Sequence, residues 1–131
     1  LFKIIKMSFD LAIWKRSART KTAMIYECYD AILEETDHTA MDFFDEDALF
    51  ADLEIEYGKR QIGYFGDDVD DCPFLFSSGR GQVGNWILMH LNYSTHQETK
   101  NKIVSIALKH GVMVYDPQQK AIWGNKRPAN S

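Results

Sequence analysis

The stretch Ser8–Lys15, SFDLAIWK, decides the fold class. Its residues alternate, Phe9, Leu11 and Ile13 against Asp10, Ala12 and Trp14. A period of two predicts a β-strand with one face buried and the other partly covered. The period then changes. Over residues 19–36, Ile25, Cys28, Tyr29, Ile32 and Thr36 recur at helical spacing, with Met24 and Leu33 widening the stripe and Ser17 or Thr20 available as a cap. A strand followed by an amphipathic helix points to a fold that mixes both.

The remaining elements follow from the same signals. Residues 37–44 read as a polar loop. A second helix is predicted over Asp45–Tyr57, with Asp45 as N-cap, Gly58 just past its end, and an apolar stripe of Leu49, Phe50, Leu53 and Tyr57. Residues 58–72 read as a long loop and Phe74–Ser77 as a short strand. SSGRGQVGN is a turn-rich connection. Trp86–Tyr93, WILMHLNY, is a long apolar strand of the kind found inside a sheet. Thr95 and Glu98 fit a capping box for a helix that runs to His110, buries Ile103, Val104, Ile106 and Ala107, and stops at Gly111. Val112–Tyr115 is a strand closed by Asp116-Pro117, and Ala121–Trp123 adds a short one.

The element order is β-α-α-β-β-α-β. Without the second helix it reduces to the split, ferredoxin-like β-α-β-β-α-β arrangement. The expectation is therefore a single α/β (α+β sandwich) domain. One mainly antiparallel sheet of four or five strands has the first and third helices on one face, and residues 37–72 form an acidic helix-loop insertion at one edge. Residues 1–6 read as an extension before Met7, and 124–131 as a mobile tail.

The composition is that of an ordinary globular domain: 131 residues, 45% hydrophobic and 26% charged. No stretch reaches the ~18 apolar residues of a membrane span. The net charge of −4 hides a strong asymmetry. From Glu34 to Asp71 there are 14 acidic residues against Lys59 and Arg60, a local net of −12, and the rest of the chain carries +8. Phosphate binding needs a basic footprint, so nucleic acid is not the ligand of the acidic segment.

Most chemical motifs dissolve on inspection. Gly79-Arg80-Gly81-Gln82-Val83-Gly84 matches the dinucleotide fingerprint, but a strand follows it where the phosphates would need a helix N-terminus. The aspartates of GDDVDDCP (66–73) lack the alternating ligands, central glycine and distant glutamate of a calcium loop, so no metal is expected. Cys28 and Cys72 read as free thiols, and His38, His90, His96 and His110 show no ligand spacing with them. His110, near a helix C-terminus, is suited to bond a free carbonyl. No nucleophile–base signature occurs, so no catalytic residue and no cofactor is assigned. Trp14 and Trp86 lie on predicted strands and are expected to pack, whereas Trp123 is the tryptophan to check for exposure.

What remains is the acidic block. Its simplest reading is a solvated face. The functional reading is a docking surface for a basic protein, because dense carboxylates steer association and then pair with Lys and Arg. Asp45, Asp52 and Glu56 share one helix face, Asp47 and Glu54 lie beside them, and Asp67, Asp68, Asp70 and Asp71 crowd the following loop. These residues are singled out by charge density and expected exposure.

MSFDLAIWK (7–15) and, after an amphipathic helix, HGVMVYDPQ (110–118) add a resemblance. They are similar to the ends of small bacterial immunity proteins of contact-dependent growth inhibition and other polymorphic toxin systems. Those proteins begin with M-S-[YF]-D-L-x-[VIF]-W and end with G-L-x-V-Y-D-P-Q; the middle of the chain is not matched. The resemblance implies a cytoplasmic toxin inhibitor that caps a cognate toxin domain, commonly a nuclease, one-to-one and without catalysis. The competing expectation is a small enzymatic or ligand-binding α/β domain that uses the sheet face, with His90 near its pocket.

Overall fold

The computed structural model describes residues 8–17, 21–57, 74–75, 85–92 and 97–124. The elements are β1 (Ser8–Arg16), α1 (Met24–Leu33), β2 (Met41–Asp42), α2 (Glu46–Tyr57), β3 (Phe74–Leu75), β4 (Trp86–Asn92), α3 (Gln97–Leu108), β5 (Met113–Asp116) and β6 (Ala121–Trp123). Five strands form one path in the order β3-β4-β1-β5-β6, and β2 pairs with the end of β1. Every pairing is antiparallel. The class is α+β, as the alternation and helical periods predict.

β1 lies between β4 and β5, and Leu11, Ala12, Ile13 and Trp14 are all fully buried. Both of its faces are therefore covered, where the sequence pattern suggested one covered fully and one in part. Successive side chains alternate across the sheet, and the core divides accordingly. Leu11 and Ile13 pack with Ile87, Met89, Leu91 and Val114, under Leu49 and Leu53 of α2 and Ile103, Val104, Ile106 and Ala107 of α3. Ala12 and Trp14 pack with Trp86, Leu88, Met113 and Tyr115, under Ile25, Cys28 and Ile32 of α1.

The expectation that the first and third helices share one face is thus corrected: α1 covers one face, and α2 with α3 the other. The physical reason is the second apolar set. Trp14 and Trp86 sit directly opposite each other in register. A sheet covered on one side only would leave both indoles in water. Burial of such a side chain is worth roughly 1.5–3 kcal/mol, enough to demand a second layer.

The chain changes face in the 34–45 segment. Met41 belongs to the α1-side cluster and Phe44, three residues on, to the α2-side cluster. β2 pins this crossing, with Arg16 opposite Met41 and Lys15 opposite Asp42. Two residues give too short an alternation to signal a strand, which is why 37–44 reads as a loop in the sequence. Ser17 does not cap α1; its N–H donates to the Ala40 carbonyl at 3.0 Å and extends the link to β2. α1 instead begins at Met24 after an Ala23 N-cap position that has no side-chain cap. It ends in a Schellman turn: the Thr36 N–H donates to Ala31 O (2.9 Å) and the Glu35 N–H to Ile32 O (2.9 Å), with Glu35 at φ 57°.

The α3 helix ends at Leu108, two residues short of the expected His110, and a turn through Lys109 and His110 leads to the expected glycine, Gly111, at φ 74°. At Gly124 (φ 71°) a Cβ would come within 2.7 Å of Leu108 Cδ2 and 2.8 Å of Val112 O, so the close approach of β6 to the end of α3 requires glycine there.

Candidate functional site

α2 is where the expected docking residues can be tested. Asp45 behaves as predicted: its Oδ1 accepts the Ala48 N–H at 3.0 Å and satisfies one of the free donors of the first turn. Glu46 and Asp47 follow in that turn, where negative charge suits the helix dipole. Leu49 and Leu53, four residues apart, fix the helix to the core, and Phe50 packs partly against it. Asp45–Tyr57 holds six carboxylates and no basic residue.

These carboxylates do not form one uniform face. Asp52 Oδ2 lies 2.7 Å from His110 Nε2, so this acid is turned toward the end of α3. His110 therefore engages a carboxylate with its ring, and not the free helix carbonyl that its position suggested. Glu56 faces Lys102 of α3 across 3.7 Å, with both side chains about half exposed. Such an exposed pair is worth under about 1 kcal/mol and opens easily to a competing cation. Asp47 is exposed, Glu54 is partly so, and between Glu54 and Glu56 stands Ile55, 82% exposed. Thus Asp45 and Asp52 serve the fold, while Asp47, Glu54 and Glu56 hold the outward charge. Asp67, Asp68, Asp70 and Asp71 lie outside the described residues, as do Cys72, His96 and the segment 79–84. The side chain of His90 does too.

Beside α2, Glu56, Glu98, Thr99, Asn101, Lys102 and Ser105 line an open groove of about 510 Å³. The residues that line it are all polar or charged and it stands open to solvent, unlike the enclosed cavities that take small ligands.

The other notable cluster is buried and was not expected. Asp116, in the YDPQ of the closing strand, accepts the Lys100 ammonium on Oδ2 at 3.0 Å. Its Oδ1 accepts the N–H groups of Gln118 at 2.9 Å and Gln119 at 3.3 Å. The Lys100 and Asp116 side chains are 4% and 1% exposed. Lys100 also lies 3.5 Å from Gln119 Oε1 and 5.8 Å from the Trp123 ring centroid. Gln118 Oε1 in turn accepts the Asp10 N–H of β1 at 3.1 Å. This corner ties α3, the β5–β6 turn and β1 together around a Lys100–Asp116 pair that is closed to solvent. An Asp followed by Pro and two further N–H donors is a recognisable turn signal; its partner 16 residues upstream has none. Trp123 packs partly against the core beside Lys100, so it is no exposed aromatic patch.

The remaining candidates are structural. Trp14 and Trp86 are core residues, and the Trp86 indole N–H donates to Asp37 Oδ1 at 3.2 Å. His38 accepts the Ala40 N–H on Nδ1 at 3.0 Å, and its Nε2 lies 3.4 Å from Glu27. Cys28 is a free, fully buried thiol whose pKa is pushed up to about 12, first by burial, then by the charge of Glu27, with Arg16 opposing. It is therefore a poor nucleophile at neutral pH. Among the described residues no group of three or more His, Cys, Asp or Glu side chains is placed to hold a metal ion, and no helix is long and apolar enough to cross a membrane.

No family model matches the chain, and no significant match was found among curated proteins or solved structures.

Proposed function

We propose that this protein acts by binding, and that the outward face of α2 docks a basic protein domain. The observation that carries this reading is a helix with five carboxylates, a sixth at its cap and no base, anchored by Leu49 and Leu53, with Asp47 and Glu56 exposed and Glu54 partly so. A rigid helix presents those charges at fixed spacing, which favours steering and then pairing with Lys and Arg. The resemblance of MSFDLAIWK and HGVMVYDPQ to immunity proteins supports a bacterial toxin domain as the partner, bound one-to-one in the cytoplasm, and Asp67, Asp68, Asp70 and Asp71 belong to the proposed contact set. On this reading the chain inhibits by occupancy and performs no chemistry.

The test is co-purification with the C-terminal domain encoded directly upstream of this gene, with the complex mass measured by light scattering. A one-to-one complex that weakens when Asp47, Glu54 and Glu56 are changed to Asn, Gln and Gln is the expected outcome. A complex indifferent to all three would remove α2 from the interface.

A further inference from the structure

The other sheet face carries a different surface. On α1, Tyr26, Asp30 and Leu33 follow each other at spacings of four and three, so they form one row along the helix. All three are exposed, Tyr26 by 50% and Leu33 by 52%. The row stands on an aromatic base. The Tyr26 ring meets Tyr115 edge-on at 5.9 Å and 83°, and Tyr29 meets the same ring at 5.3 Å and 69°. Tyr115 is itself only 3% exposed, so it holds the outer two rings in place.

The charges carried by this helix have one sign. Met24–Thr36 contains Glu27, Asp30, Glu34 and Glu35 and no basic residue. Tyr29 is pushed up to about 12, by burial first and then by the charges of Asp10, Tyr115, Asp30 and Asp116. Tyr115 is raised by burial, then by Tyr26, Asp116 and Asp30. Aromatic ring faces are also electron-rich, so rings and carboxylates both favour a cation. The half-open Tyr26 ring, the Asp30 carboxylate one turn on and the Leu33 side chain beyond offer a stacking surface, an anionic acceptor and an apolar rest. Of the natural cations, arginine suits all three: its planar guanidinium stacks, donates in a fork and is weakly hydrated, and its stem is apolar.

We propose that the Tyr26–Asp30–Leu33 row of α1 is a docking site for an arginine side chain presented by a protein partner. The site does not depend on the α2 reading, since it lies across the sheet from it.

The test is an NMR titration with capped hexa-arginine, and with capped hexa-lysine as an equal-charge control. The wild type is compared with Tyr26→Leu, with Asp30→Asn, and with an α2 variant carrying Asp47→Asn, Glu54→Gln and Glu56→Gln. Hexa-arginine is expected to shift the Tyr26, Asp30 and Leu33 signals. Tyr26→Leu and Asp30→Asn should each weaken that binding about two- to fivefold, the range of an exposed cation–π or ion-pair contact. Hexa-lysine should bind this row more weakly, and the α2 variant should leave the Tyr26 shifts in place. Equal affinity for the two peptides, no effect of Tyr26→Leu, or shifts confined to α2 would overturn the proposal. Tyr26 and Asp30 are surface positions, and an unchanged amide spectrum of each free variant verifies its fold.

Discussion

Asp116 and the outward carboxylates of α2, Asp47, Glu54 and Glu56, put the same chemical group to opposite uses. At the β5–β6 corner one carboxylate takes an ammonium and two backbone N–H groups in near-complete burial. On α2 six carboxylates share a helix of 12 residues and its cap, and the ion pair resolved there between Lys and Glu is half exposed. The buried charge is bound so fully that it can offer nothing to a partner, and its removal would take that carboxylate from a buried lysine. The outward charges lie at the surface, and the Glu56–Lys102 pair among them is weak. Where a carboxylate sits decides whether it is structure or surface.

That contrast can be broken at several points. Asp116→Asn keeps an oxygen for the turn but leaves Lys100 buried without its counter-charge; it should cost about 3–5 kcal/mol in urea unfolding. A loss under 1 kcal/mol would mean water already reaches the pair. Leu53→Ala, which detaches α2 from the core, should cost about 2–5 kcal/mol, and near-neutrality would show that the helix is not part of the cooperative unit. Asp45→Ala removes the cap and should cost about 1 kcal/mol by thermal melting, since that donor is left to solvent. Glu54→Gln and Glu56→Gln should each change stability by less than about 0.5 kcal/mol. On the proposed docking role their effect falls on association with a basic partner; a large stability loss from either would move α2 to the structural side of the comparison.

The sequence carried much of this division, and its failures are instructive. Strand and helix periods located β1, β4, α2 and α3 because each holds enough residues to show its repeat. β2, with two residues, showed none. The helix layering was missed because a repeat says that a face is buried but not which element buries it. A hint was nonetheless present: Ala12 and Trp14 alternate with Leu11 and Ile13 as a second apolar set, which calls for cover on both sides. At the candidate site, charge density and the Asp45 cap were legible locally. Asp52 meeting His110, Glu56 meeting Lys102 and Asp116 meeting Lys100 were not, because each joins residues separated by many positions with no pattern between them.

The most direct test of a docking role for α2 is the association rate of the cognate basic domain, followed by stopped flow from about 20 to 500 mM salt. Screening shortens the Debye length severalfold over that range, and electrostatically steered rates fall by tenfold or more, on the order expected for such partners. The expected result is that fall for the wild type and a clearly shallower one for the variant with Asp47→Asn, Glu54→Gln and Glu56→Gln. A rate independent of salt, or identical salt slopes for the two proteins, would contradict it.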